Sequence, residues 1–241
     1  MIINVHAGHN PDGNVACGAI GLLKESTENR VVTEKVISLL EARGHTVYDC
    51  TCDNGTSKKD VLKRIITKSN EHDVDLDVSI HFNAGAKKKV NGKTTGVEVF
   101  IFSEKSSAAP YARNVCNAIS ALGYTNRGVK VNPNLYVLKH STAPAMLVEC
   151  CFVDDPDDVA IYDAEKMAEA IVEGITGLKV FSSYTVKVQA GTPVYEDARF
   201  DSDIVMMLEK YNIYTIVEEK NGFGRLKSGA GWLNLNVVEK R

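Results

Sequence analysis

Up to Leu178, short apolar runs alternate with longer stretches whose apolar residues recur every three to four positions. That alternation is the strongest constraint on the fold. Ile2 to Val5, Thr46 to Thr51, Leu76 to Phe82, Val97 to Phe102, Leu135 to Leu138 and Ala145 to Glu149 have the length and apolar character of strands. Between them, Glu25 to Arg43, Ser57 to Glu71, Ser106 to Leu122 and Ala164 to Leu178 carry helical spacing, with Val32, Val36, Leu39 and Leu40 on one stripe of the first. Gly44 and Gly123 stand where the first and third helices should stop. Strand and helix in alternation predict an α/β fold, a mostly parallel sheet with helices on both faces.

After Leu178 the texture changes. Short β-rich runs follow, among them Thr185 to Val188, Thr192 to Tyr195 and Trp232 to Leu235, separated by Ala-Gly, Lys-Asn-Gly-Phe-Gly and Ser-Gly-Ala-Gly turns. These predict a small all-β barrel domain over residues 184–241, joined through Lys179 to Tyr184 to a first domain of residues 1–178.

Composition excludes several partners. The net charge is −3, so no basic face argues for nucleic acid, and no apolar run reaches the length of a membrane span. Met1 to Val5 runs directly into His6-Ala7-Gly8-His9, with no basic and then apolar leader. The expectation is a chain made in the cytoplasm without a signal peptide. Its six cysteines, Cys17, Cys50, Cys52, Cys116, Cys150 and Cys151, are then expected as thiols. Four of them sit in or beside strand-like apolar runs, without the paired spacing of a zinc finger, so core packing is favoured over thiolate ligation.

The chemistry-bearing residues fall at element ends. His9 follows the first strand, Glu25 opens the first helix, His81 closes the third strand and Glu149 closes the last. Open α/β sheets collect ligands beyond the carboxyl ends of their strands. Taken singly, His9 reads as a solvated loop residue, Glu25 as a charge favourable to the helix dipole, and His81 as a hydrogen-bonded core histidine. Glu149 is harder to explain that way, because it lies among apolar residues where a carboxylate needs a partner. Together, two imidazoles and a carboxylate form the donor set of a catalytic zinc site with one position left for water, and a second carboxylate stands ready as a base.

These segments resemble the zinc-dependent N-acetylmuramoyl-L-alanine amidases of the type 3 family. Val5-His6-Ala7-Gly8-His9 is similar to the first histidine motif, and Glu25-Ser26-Thr27-Glu28-Asn29 to the Glu-x-x-x-Asn that opens the first helix. Ser79-Ile80-His81-Phe82-Asn83-Ala84 is similar to the second histidine motif, and Leu147-Val148-Glu149 to the segment with the catalytic glutamate. Arg127-Gly128-Val129-Lys130 and Leu135 to Leu138 match the approach to it. The resemblance spans residues 1–178. It implies Zn2+ held by His9, Glu25 and His81, Glu149 as the catalytic base, and bacterial peptidoglycan as substrate. Glu28, one turn after Glu25, is the alternative ligand. His6 stands where many members have aspartate, which adds a third histidine near the metal.

The tail resembles a bacterial Src-homology-3-like domain through Tyr184 to Val188 and Gly231-Trp232-Leu233, without that domain's Asn-Val-Arg run. Trp232 and Tyr195 are either wall contacts or barrel core. The resemblances imply a wall amidase of the phage or prophage endolysin kind, released to the cell wall after synthesis. A secreted enzyme separated from its leader is the competing history. A zinc peptidase of the stem peptide and a non-catalytic wall-binding protein are the alternative functions.

Overall fold

The computed structural model describes residues 1–86, 89–178 and 184–240. They form two compact units, Met1–Lys179 and Val180–Arg241. The link expected from Lys179 to Tyr184 lies outside the described residues except for Tyr184.

The first unit runs β1 (Ile2–Ala7), α1 (Glu25–Glu41), β2 (Thr46–Asp49), α2 (Lys58–Ser69), β3 (Leu76–Asn83), β4 (Val97–Ile101), α3 (Ala109–Ser120), β5 (Asn126–Val131), α4 (Tyr136–His140), β6 (Ala145–Phe152), α5 (Pro156–Ala160) and α6 (Ala164–Thr176). Its sheet has the order β2-β1-β3-β6-β4-β5. Every neighbouring pair is parallel except β4 with β6. The sheet is therefore mixed and mostly parallel. β1, β3 and β6 are its centre, and almost all their residues are buried, so the polar Asn4, His6, Asp77 and Ser79 are enclosed along with the apolar positions.

The helices form two groups. α1, α3 and α6 pack on one another and on the sheet. At one point α3 and α6 approach so closely that a Cβ on Gly174 would lie 2.5 Å from the Cα of Val115. α2 and α4 form the second group, where Val61, Ile65, Val137 and Leu138 close over Ala145 and Leu147 of β6. α2 starts at Ser57, whose hydroxyl accepts the Asp60 amide at 3.2 Å. α6 starts under Asp163 and ends at Gly177 in the left-handed conformation (φ 71°).

Three elements differ from the sequence reading, one of them the five-residue helix α5, which that reading does not contain. Leu135 to Leu138, expected as a strand, is the entry to α4: Leu135 is extended and the helix begins at Tyr136. Five residues are too few to display a 3.6-residue period, so an apolar quartet of this kind reads equally as strand. β5 was not expected at all. It is an edge strand with sequence Asn-Arg-Gly-Val-Lys-Val, half-exposed, and its polar residues conceal it.

The polar stretch between β3 and β4 has its own anchor. Gly85 and Ala86 donate their amides to Asp154, Asn91 and Gly92 to Asp157, and Thr95 gives its amide and hydroxyl to Asp155. Asp158 receives Gly96 N–H on both oxygens at 3.1 Å and the Phe152 amide at 2.8 Å. The Asp154-Asp155-Pro156-Asp157-Asp158 segment thus braces the loop that leaves β3. No described helix is long and apolar enough to cross a membrane. All six cysteines are free thiols, with five buried and Cys17 partly exposed.

The second unit contains β7 (Tyr184–Val188), β8 (Pro193–Tyr195), β9 (Ile204–Met207), β10 (Asn212–Lys220), β11 (Phe223–Leu226), β12 (Trp232–Asn234) and β13 (Glu239–Lys240). All its pairings are antiparallel, in the order β13-β7-β10-β11-β12-β8-β9. Among the described residues no pairing closes this sheet into the expected barrel. Val186, Val188, Val194, Leu208, Ile216, Leu226 and Leu233 form its core. β10 and β11 meet at Asn221 (φ 52°) and Gly222 (φ 79°), the two left-handed positions that a tight hairpin requires.

The Asp158 brace generates a stability prediction. Asp158→Ala strands the Gly96 and Phe152 amides in the interior. We expect a loss of about 3 kcal/mol, the scale of losing a charged acceptor shared by buried donors. Chemical denaturation with unchanged m-value would report it; a loss below ~1 kcal/mol would show that the brace is not needed.

Candidate metal centre

The polypeptide leaves β1 at Ala7 and turns across the end of β3. Gly8 is required there, because a Cβ would lie 2.0 Å from the Cε1 of His81. The His81 ring therefore occupies the space a side chain would take. The next residue, His9, has a left-handed backbone (φ 65°), and its ring meets His81 edge to face at 4.9 Å. Asn29 of α1 donates to the Gly8 carbonyl at 3.0 Å.

Glu25, the first residue of α1, turns inward and is 3% exposed. Its Oε1 accepts from His81 Nδ1 at 2.9 Å and from the Phe82 amide at 3.2 Å, and lies 3.3 Å from His9 Nε2. Its Oε2 accepts the Ala19 amide at 2.8 Å. Burial alone would push this carboxyl up, but hydrogen bonds from His81 and His9 hold it well below the usual carboxylate range. Burial lowers the His81 imidazole despite the pull of Glu25, which favours its neutral form. Gly18 completes the enclosure: its φ is 81°, and a Cβ would lie 2.6 Å from Glu25 Oε2 and 2.9 Å from His9 Cδ2.

Among the described residues, His9, Glu25 and His81 are the one group of three or more His, Cys, Asp or Glu side chains whose donor atoms converge, all within 4.8 Å of one another. Two imidazole nitrogens and one carboxylate oxygen at the edge of an accessible cleft are a donor set suited to zinc.

Glu149 stands beside this group. On β6 it is the register partner of His81 on β3 and of Glu98 on β4. Its Oε2 is buried with no hydrogen-bond partner. Burial first, then the charges of Glu25 and Glu98, raise its carboxyl to about 8. Glu98 is itself held by Asn83 Nδ2 at 2.8 Å and Arg127 Nε at 2.8 Å. A cleft of about 340 Å³ connects His9, His81 and Glu149, with Leu62, Tyr136 and Leu147 among its walls.

The remaining residues singled out from sequence lie elsewhere. Glu28 accepts from the Tyr162 hydroxyl at 3.0 Å and is not among the converging donors. His6 is buried and is not among the converging donors, with Nε2 3.2 Å from Asp77 Oδ1 and Nδ1 3.4 Å from the Ser79 hydroxyl. Gly18, Ala19 and Glu98 were not anticipated. Gly18 was legible only as one more loop glycine, and Ala19 acts through its backbone, which no residue-type pattern records.

With this geometry in hand, comparison with known proteins is informative. Residues 2–177 match the family model described as N-acetylmuramoyl-L-alanine amidase. An uncharacterised protein of Clostridium perfringens is 36% identical over 166 residues, covering 67% of this chain and 47% of its own length. The endolysin of Bacillus phage SPP1 is 25% identical over 222 residues, covering 88% of this chain and 77% of that protein. The solved catalytic domain of the CD27L endolysin targeting Clostridia difficile is 27% identical with a TM-score of 0.66, over 75% of this chain and 99% of that domain. This chain spans about half the length of the Clostridium perfringens relatives. On the family match over most of its length, it belongs to the N-acetylmuramoyl-L-alanine amidase family.

Proposed function

We propose that this chain is a peptidoglycan hydrolase that cleaves the amide between N-acetylmuramic acid and L-alanine, with zinc held by His9, Glu25 and His81 and with Glu149 as the base. The observation that carries this reading is one cleft lined by His9 and His81, two of the three converging metal donors, and by Glu149, a carboxylate whose buried Oε2 has no partner. The family match and the endolysin relatives support the substrate and a phage or prophage endolysin origin.

The chain's own residues have separable tasks. His81, kept neutral, and Glu25, kept ionised, offer a lone pair and a negative charge without first losing a proton. Zinc, when bound, supplies a Lewis acid that polarises the amide carbonyl and acidifies water. Glu149 accepts the proton of the attacking water as the carbon–oxygen bond forms. It returns that proton to the L-alanine nitrogen as the carbon–nitrogen bond breaks. A cation held by His9, Glu25 and His81 would favour the ionised form of the Glu149 carboxyl that this role requires.

For residues 184–241 we propose a Src-homology-3-like, wall-binding domain. Its antiparallel strands and compact apolar core support an independent module. Trp232 and Tyr195 are register partners, both partly exposed, and are its candidate contacts.

Digestion of purified walls tests the main reading. Mass spectrometry should find new L-alanine amino termini and intact glycan; cuts inside the stem peptide would make the enzyme a peptidase. Chelation should abolish the activity and zinc restore it. Glu149→Gln should keep its zinc and lose roughly two or more orders of magnitude in turnover. Loss of zinc in that variant would instead make Glu149 a ligand.

A pH dependence follows from the same carboxyl. In the metal-free chain Glu149 titrates at about 8, against an ordinary 4.5. The folded state thus retains a proton that the unfolded state releases above 4.5. The stability from this group is complete below 4.5 and is lost as pH rises through about 8. Metal-free Glu149→Gln should out-melt the metal-free parent at about pH 8.5, with the gap narrowing toward about pH 5. A gap that does not change with pH would contradict the assignment.

Residues 1–178 should cleave a soluble muramoyl peptide as fast as the full chain but lyse intact cells more slowly, because a second attachment raises local concentration without altering the chemistry. Equal lysis by both, together with no decoration of walls by tagged residues 184–241, would assign the second unit another role.

A further inference from the structure

His9 carries an unusual conformation for a residue with a side chain. Its left-handed φ of 65° is disfavoured outside glycine and persists only where the surroundings impose it. One side chain binds the carbonyls on both sides of that φ. Arg30, on α1, donates from Nη2 to the His9 carbonyl at 2.9 Å and from Nη1 to the Gly8 carbonyl at 3.4 Å. The same guanidinium binds the Ser26 carbonyl at 3.0 Å, the Asn29 Oδ1 at 3.2 Å and the Cys52 carbonyl at 3.2 Å. Asp53 Oδ1 closes the set, at 2.7 Å from Nη2 and 2.9 Å from Nε.

Arg30 therefore ties three segments together: the exit of β1, which carries His9; the first turns of α1, which carry Glu25; and the exit of β2. Its side chain is 17% exposed, while that of Asp53 is 63% exposed. The energetic weight accordingly falls on the carbonyls, since an exposed ion pair contributes little. A lysine has a single ammonium and no planar fork, and cannot bind these six acceptors, four backbone carbonyls and two side-chain oxygens, in different directions. On the other side of His9, Asn10 is 1% exposed and pins the loop to the Gly55 carbonyl and amide at 2.6 and 3.0 Å. The backbone of the first ligand is thus fixed from both sides before any cation arrives.

We propose that Arg30 is a positioning residue for the metal centre: it holds the His9 backbone in its left-handed form, so that the His9 imidazole is set opposite Glu25 and the cation meets a preformed site. The proposal rests on the zinc reading above. Arg30 touches no ligand atom and acts only through the carbonyls of Gly8 and His9.

Zinc affinity of the purified full chain, measured by competition with a chelating dye, tests it. Arg30→Ala and Arg30→Lys should each bind zinc about 10- to 100-fold more weakly, the range for groups that orient a ligand. At saturating zinc their turnover should return to near the parent value, which Glu149→Gln cannot do. Circular dichroism establishes that each variant is folded, and Arg30→Lys decides alone if Arg30→Ala does not fold. A folded variant with zinc affinity within about threefold of the parent would overturn the proposal. A parent chain that takes up no zinc would overturn the reading of the centre itself, which is a separate result.

Discussion

The carboxylate of Glu25 between the imidazoles of His9 and His81 is the interaction on which the functional part of the molecule depends. A carboxylate that is 3% exposed has a large desolvation cost unless donors surround it. Here the donors come from separate segments: the loop after β1, the amide of Ala19, and both the side chain of His81 and the amide of Phe82 at the end of β3. Each of those segments must therefore reach the start of α1. Gly8 and Gly18 follow from the same demand, because both stand where a Cβ would occupy the space of His81, Glu25 or His9.

The cleft sets two carboxyl groups against each other. Glu25 is surrounded by donors and is held low; Glu149 has an unpartnered oxygen and two acidic neighbours and is raised to about 8. Environments that push two carboxyl groups apart separate a charge-bearing role from a proton-carrying one. Glu98 sharpens the contrast. It is the register partner of Glu149 and is held in place by Arg127 and Asn83, so its carboxylate acts on Glu149 from a fixed position.

Much of this was legible in the sequence because it rests on periodicity and on element ends. Short apolar-rich runs mark the strands, and His9, Glu25, His81 and Glu149 are conspicuous because each falls at or just beyond the end of a predicted element. What escaped depends on other things. α4 is too short to show its period, and β5 is an edge strand written in polar residues. The carboxylates of residues 154–158 organise the loop after β3 through backbone amides, which carry no sequence signature. Arg30 has no place in any motif of the sequence. Its acceptors are carbonyls brought near by the fold, so only the three-dimensional arrangement distinguishes it.

Register is the remaining constraint, and it ties packing to chemistry. His81, Glu149 and Glu98 form one rung across β3, β6 and β4. The neighbouring rung is Ile80, Val148 and Val99, each 0% exposed. Because side chains alternate between faces, a one-residue slip of β6 would carry Glu149 to the opposite face and put an apolar residue in its place. The apolar rung is therefore what keeps the charged rung in position: burying Ile80, Val148 and Val99 together rewards only the pairing that also sets Glu149 beside His81. The regular pairing of β3 with β6 breaks just beyond, between His81 and Asn83. The charged rung is thus the last one before the register shift, after which pairing resumes at Asn83 and Phe152, and it is the rung whose His81 and Glu149 line the cleft.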